Sequence, residues 1–437
     1  MAALSYSRVL GANDRVSLGF IGLGNRGDQV LDAFLEYSDS QIDALCDLRQ
    51  DYIDYHRQRT EGRGEREAFT DYRQLLEKPG LDAVVICTPD HWHALMTIHA
   101  CQAGKDVYVE KPLSLTVVEG RRMVEAVRKY ERVAQVGTHR RSLPWVKQLA
   151  GLCRDGKIGH ISVADSFYIA NDWPNGIGNP ADATPPPGVD WDLWLGPAPR
   201  EPYNPNRTFY NFRWFWDYSG GQVTNFGVHY LDVIHWALGQ HAPLRVAAFG
   251  GRYAVNDNRE VPDTAKVIWE YPGKTIVGFN QYNANGADLP HEIELRGTKG
   301  TAYLYSRAFE IQPETIREQS RFARTPLDRE TERELRKQTE QLIEPMRVEG
   351  LSGTEPHARN FLDCLKSREK CNADIETGHR STSATLIANI ALRTGKALEW
   401  DAEAERFTND RESNRYLEYE YRDPCVCRTR SNSLPRG

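Results

Sequence analysis

Three clusters of residues have the types and spacing for chemistry. The first is Gly22-Leu23-Gly24-Asn25-Arg26-Gly27, set between an apolar run and an amphipathic one. In such a turn Gly22 allows the tight reversal, Gly24 lets backbone approach a pyrophosphate, and Gly27 lets helix pack on strand. Asn25 and Arg26 open the helix, whose free N–H groups and dipole favour phosphate. Asp47 ends a second apolar run roughly 20 residues further on, where a carboxylate takes both ribose hydroxyls and repels a 2′-phosphate. The pattern predicts a dinucleotide site for NAD, with NADP less favoured although Arg49 lies close by.

The second cluster is Glu110-Lys111-Pro112, at the end of an apolar strand. Proline stops the strand and fixes the backbone, so the ammonium can point into a cleft. A partly desolvated lysine there donates to a substrate hydroxyl and steadies a forming alkoxide. The third cluster is Asn225-x-x-x-His229, one helical turn apart and so on one face. A histidine with a polar orienter is a plausible general base near neutral pH. Thr88-Pro89-Asp90-His91-Trp92-His93 adds another polar strand end, with Asp90 as the expected helix cap. Taken singly, each has a plain alternative: a surface lysine, a satisfied half-buried histidine, a simple cap.

These residues need elements to position them. Val16–Ile21, Ile42–Cys46, Asp82–Cys87, Asp106–Val109 and Val133–Gly137 read as buried strands alternating with helices. That rhythm predicts a doubly wound parallel sheet, with its ligand at the carboxyl ends of the strands. Beyond Thr138, a helix over Pro144–Asp155 leads to a strand over Ile161–Ile169. Asn171–Tyr218 is a long stretch rich in Pro, Asn and aromatics, including Trp173, Trp191, Trp194, Trp214 and Trp216. It is expected to cover a site, and its rings could offer flat faces to a sugar. A helix then ends at Gly239. Leu244–Phe249, Thr264–Glu270, Thr275–Asn280, Glu292–Arg296 and Thr301–Tyr305 read as strands of a mostly antiparallel sheet. Residues 307–348 are densely charged and read as a solvated helix or mobile arm. Helices are expected over Gly353–Leu365 and Gly378–Thr394, and disorder after Asp423. The chain is thus read as α/β: a Rossmann domain over 14–138, a C-terminal α+β domain with a large open sheet over 139–400, and a tail over 401–437.

The 437 residues carry a formal net charge of −6, which argues against a nucleic-acid partner. No apolar run is long enough for a membrane span. Cys46, Cys87 and Cys101 fall in predicted buried elements, and Cys425-x-Cys427 has no second pair for zinc. No histidine spacing matches a metal-ligand set, so no metal is expected. The opening residues lack the apolar core of an export signal. A cytoplasmic protein is expected, or a periplasmic one if a signal has been removed.

In combination, GxGxxG at 22–27, TPDHWH at 88–93, EKP at 110–112 and GGQVTNFGVHYLD at 220–232 resemble the Gfo/Idh/MocA oxidoreductases. The resemblance runs from Val16 to Trp400. It implies a Rossmann domain followed by an α/β domain whose open sheet often forms dimers or tetramers. It implies that Lys111 bridges nicotinamide ribose and substrate, and that His229 takes the hydroxyl proton. Thr88, Pro89 and His93 would line the cofactor beside Glu110. Arg140 and Tyr230 would face substrate, together with Trp92 and Arg213. Asn225 stands where many members carry Asp, and an amide cannot hold the negative charge that stabilises an imidazolium. The segment SRVLGANDRV also resembles the residues just after a twin-arginine export signal in many relatives.

The resulting expectation is a dehydrogenase or reductase acting on a sugar, sugar derivative or cyclitol. An alternative uses the same residues in redox-neutral glycoside cleavage by oxidation, elimination, hydration and re-reduction. Tyr230, His139 or His93 would then supply a further acid or base. A sensor without turnover is a third possibility, opposed by the presence of both Lys111 and His229.

Overall fold

The structure is a computed structural model that describes residues 15–287, 289–316, 340–423 and 425. The apolar runs of the first half form β1 (Val16–Ile21), β2 (Ser40–Cys46), β3 (Glu67–Phe69), β4 (Ala83–Ile86), β5 (Asp106–Val109) and β6 (Ala134–Val136). They make one parallel sheet in the order β3-β2-β1-β4-β5-β6. The winding of the chain across the sheet reverses between β1 and β4, which leaves a crevice at their carboxyl ends. The edge strand β3 is additional to the predicted set. Its residues are exposed or half-buried, so no apolar run marks it.

Alternation along the central strands feeds two cores. Leu18 and Phe20 pack with Phe34, Tyr108 and Phe361 on one face, while Ile21, Val84 and Ile86 pack with Leu95, Ile98 and Met123 on the other. Phe361 comes from the helix Glu355–Ser367 and meets Phe34 and Tyr108 edge-on at 6.2 and 5.9 Å. A segment late in sequence thus seals the parallel-sheet half. Truncating such a ring to alanine costs about 3–5 kcal/mol.

The second sheet is built from β7 (Ile161–Ile169), β8 (Arg245–Gly251), β9 (Thr264–Tyr271), β10 (Thr275–Tyr282), β11 (Ile293–Gly297), β12 (Gly300–Leu304) and β13 (Ala308–Pro313). After β14 (Thr315–Ile316) and β15 (Glu340–Gln341), which pair only with each other, come β16 (Met346–Glu349), β17 (Leu398–Asp401) and β18 (Arg406–Phe407). The ten-stranded order is β16-β13-β12-β11-β7-β10-β9-β8-β17-β18. Every neighbouring pair is antiparallel except β7 with β10. Helices Pro144–Arg154, Gly227–Leu238 and Ile375–Thr394 cover one face, where Val267, Trp269 and Tyr271 point inward. The other face exposes Phe249, Ile268 and Ile276.

Two expectations are revised. The charged stretch 307–348 is not wholly a solvated arm, because its ends are β13 and β16, and Phe309 and Ile311 are fully buried. Its middle, 317–339, lies outside the described residues. The segment read as a tail from 401 continues the fold, with Phe407 and Leu417 buried in the second core. Two apolar residues spaced ten apart in a polar stretch leave no periodicity to read. The disorder expected after Asp423 falls almost wholly outside the described residues. In the aromatic stretch, Trp191, Trp194, Trp214 and Trp216 join a small core with Phe215, Tyr218 and Val261, while Trp173 is exposed.

Candidate active site

One cleft runs along the crevice of the parallel sheet. Gly22, Gly24, Asn25, Arg26, Asp47, Thr88, Pro89, Glu110 and Lys111 line its floor, and Asn225 closes one end. Over it lie Leu193, Phe209, Tyr210 and Arg213, from the long segment between β7 and β8. Arg422 ties down this roof by donating to the Asp192 and Gly196 carbonyls at 2.8 and 3.1 Å.

The glycines fit a dinucleotide. Gly22 has φ +87°, and a Cβ there would lie 2.8 Å from the backbone of Cys87 and Thr88. A Cβ on Gly27 would strike the Gly22 carbonyl oxygen at 2.0 Å. By contrast, a Cβ on Gly24 would meet nothing within 4 Å, so the backbone borders open space. No side chain caps the helix that begins at Asn25, which leaves its first N–H groups available to phosphate. Asp47 accepts from the Leu23 N–H at 2.7 Å and the Arg49 N–H at 2.9 Å. Those bonds fix its carboxylate beside the glycine turn. Burial raises its pKa despite them.

Lys111 stands at the inner end. Its Nζ donates to Asn225 Oδ1 at 2.7 Å and to the Asn225 carbonyl at 3.1 Å. Burial pushes its pKa down to about 8; Glu110 opposes this, while Arg213 and Arg26 add to it. Glu110 is buried and accepts from Arg26 Nε at 2.9 Å and from the Lys111 N–H at 3.1 Å. Burial alone would raise its pKa, but Arg26 and Lys111 hold it below the ordinary value. Arg26 also reaches Thr354 at 3.2 Å. Arg26 and Glu110 therefore form a strut under the cleft as well as part of its lining.

His229 lies on the helix Gly227–Leu238, beyond Asn225. The two are not on one continuous helix: the helix Gly221–Asn225 stops and restarts around Phe226. The Asn225 amide reaches Lys111 and Gln222 Oε1, the latter at 3.0 Å, rather than the imidazole. His229 instead faces His139, ring to ring at 5.1 Å, and its Nδ1 has no partner among the described residues. Burial, then Lys111, His139 and Arg140, hold its pKa well below 6.5. It is neutral and surrounded by positive charge.

The other predicted residues are distributed unevenly. Arg140 pairs with Glu292 at 2.6 Å and lies over the Tyr230 ring at 5.4 Å, in the neighbourhood of His229. Arg213 lines the cleft, stacked on Tyr210 at 3.9 Å. Trp92 borders the cleft, but its indole N–H is engaged by the Trp194 carbonyl at 2.9 Å. His93 is fully buried, with its nitrogens 2.8 and 2.9 Å from the carbonyls of Pro112 and Thr88, so it braces two strand ends. Asp90 caps nothing: its carboxylate accepts from Ser219 Oγ, and burial raises its pKa. The contact of Asp90 with Ser219 and the place of Gln222 beside Asn225 are site features that motif spacing did not reveal, whereas His139, a candidate from the sequence, does lie against His229. Gln222 sits three residues before Asn225, and that helical spacing is a signal that was available.

Comparison with known proteins agrees with this geometry. Residues 16–138 match the model of the Gfo/Idh/MocA oxidoreductase family, NAD-binding Rossmann fold, and residues 158–273 and 335–427 match its C-terminal α/β domain. A glycosyl hydrolase family 109 protein of Shewanella sp. (strain MR-4) is 30% identical over 164 residues, 35% of each chain. Myo-inositol 2-dehydrogenase of Thermotoga maritima is 32% identical over 142 residues, 32% of this chain and 42% of that protein. The matches thus span well under half the length of these curated relatives. A levoglucosan dehydrogenase solved with NADH and levoglucosan superposes with a TM-score of 0.64 at 15% identity, covering 88% of this chain and 99% of that one. That likeness is one of fold. With both domain models matched in order, the chain belongs to the Gfo/Idh/MocA family of oxidoreductases.

Proposed function

We propose that this protein is an NAD-dependent oxidoreductase acting on a hydroxyl of a sugar, sugar derivative or cyclitol. The observation that carries the reading is the half-buried Lys111 ammonium, held by Asn225 at the inner end of a dinucleotide cleft. Nicotinamide, when bound, supplies a hydride acceptor or donor. The chain's own part is position and charge. Lys111 donates a hydrogen bond to the reacting oxygen and stabilises it as it becomes an alkoxide. Neutral His229 accepts the hydroxyl proton. Asp47 selects a free ribose over a 2′-phosphate.

A second reading is redox-neutral glycoside cleavage. It is supported by the hydrolase-named relatives and by the roof pinned over the cleft, which suits a retained cofactor. A panel of free sugars, inositols and nitrophenyl glycosides separates the two. NADH formed in proportion to product supports oxidation. Nitrophenol released without net NADH supports cleavage. Neither product with any member of a broad panel would count against both.

We also infer self-association through the open sheet face, supported by exposed Phe249, Ile268 and Ile276 on adjacent strands. A monomer by light scattering at micromolar concentration would contradict it. No described helix is long and apolar enough to cross a membrane. A cytoplasmic location is supported by the free thiols of the described cysteines, with the periplasm as the alternative.

A further inference from the structure

The inner end of the cleft carries a cation without a direct ion-pair partner among the described residues. Arg26 pairs with Glu110, and Arg140 pairs with Glu292. Lys111 has the Glu110 and Asp90 carboxylates near it. Among the described residues Arg213 forms no ion pair and donates no hydrogen bond, and its Nε is buried without a partner; the Asp90 carboxylate, which also faces Lys111, acts on it only from a longer distance. Its guanidinium is nevertheless held in place, 3.9 Å above the Tyr210 ring and 5.6 Å from that of Phe212. A planar cation fixed by aromatic stacking in the wall of a cleft is prepared to form charge-assisted hydrogen bonds with an incoming anion.

We propose that the substrate carries an anionic group, a carboxylate or a phosphate, which pairs with Arg213. This deepens the oxidoreductase reading and rests on it for the identity of the substrate as a sugar. Three carboxylates, Glu110, Asp90 and Glu292, face the four cations Arg26, Lys111, Arg140 and Arg213, so the site holds one cation in excess. The groups that most disfavour a proton on His229, after burial, are Lys111, His139, Arg140 and Arg26, and position 225 is an uncharged amide. An anion on Arg213 offsets that excess beside Lys111 and favours a proton on His229 as the substrate hydroxyl loses it. The substrate's own charge thereby supplies part of what an aspartate at 225 would give.

The test uses the full chain loaded with NAD, comparing D-glucuronate and D-glucose 6-phosphate with neutral D-glucose. Binding is read by thermal melting and turnover by NADH formation. At least one anionic sugar should bind ~10-fold or more tightly than glucose, as expected of a charge-assisted pair. The preferred member tells carboxylate from phosphate. Arg213→Gln should reduce that preference to about onefold, and Arg213→Lys should restore part of it. Equal binding of anionic and neutral sugars overturns the proposal, as does a preference unchanged in Arg213→Gln. So does a loss of NAD affinity in that variant with sugar preference intact, which would place Arg213 on the cofactor. Neutral sugars oxidised as well as anionic ones, in a reaction abolished by Lys111→Ala, would refute the anion site and leave the oxidoreductase reading standing. Anion binding through Arg213 without turnover would do the reverse.

Discussion

Lys111 Nζ and Asn225 Oδ1 are 2.7 Å apart, and the same ammonium also reaches the Asn225 carbonyl. A neutral amide therefore fixes the lysine's direction without neutralising it. The ammonium stays poised to lose its proton at about pH 8, because burial outweighs the stabilising Glu110 carboxylate. Direction and basicity are set by different neighbours.

That separation gives a pH dependence with a definite sign. Activity that needs the Lys111 ammonium should be full below about pH 8 and fall as pH rises through it. Asn225→Asp adds a negative charge beside the ammonium, favours the protonated form, and should move this limb upward by about one to three pH units. The pH profile of kcat/KM measures it. A limb in the same place in the variant would separate it from Lys111.

Cofactor choice is assigned to Asp47. Asp47→Ser removes the charge that opposes a 2′-phosphate, and should shift the NADP-to-NAD affinity ratio by ~10-fold or more toward NADP. Fluorescence titration of both reduced cofactors checks this. Some loss of NAD affinity is expected as well, since Asp47 also anchors the Leu23 N–H.

The roof segment depends on a buried ion pair. Arg259 is fully buried, bonded through Nε to Asp257 at 2.9 Å and through Nη2 to Asp172 at 3.2 Å. Arg259→Leu strands the buried Asp257 carboxylate and should cost about 3–5 kcal/mol in urea unfolding. Adding Asp257→Leu should recover part of that loss, because the stranded charge is then gone.

Local rules made much of this molecule legible beforehand. Gly22, Gly24, Gly27 and Asp47 obey a short-range pattern, and the buried runs at β1, β4 and β5 are continuous enough to identify as strands. What escaped is long-range. Asn225 meets Lys111 across 114 residues of sequence, and Ser219 meets Asp90 across 129. Spacing on one helix pointed Asn225 at His229 instead, because a break at Phe226 leaves no mark in the hydrophobic pattern. The outer strands β13, β16 and β18 escaped for a related reason. Each is mixed in polarity, β16 and β18 are short, and β13 and β16 pair across a stretch that also holds β14 and β15.

The most direct measurement is Lys111→Met in the full chain, with bound cofactor quantified by native mass spectrometry and turnover followed on the best substrate of the sugar and glycoside panel. Methionine fills similar space but donates no hydrogen bond. Retained NAD with turnover reduced by ~1,000-fold or more is the predicted result, as befits loss of a group that stabilises a developing oxyanion. Turnover within about twofold of the parent, with NAD bound, would contradict the assignment of Lys111 to the chemistry.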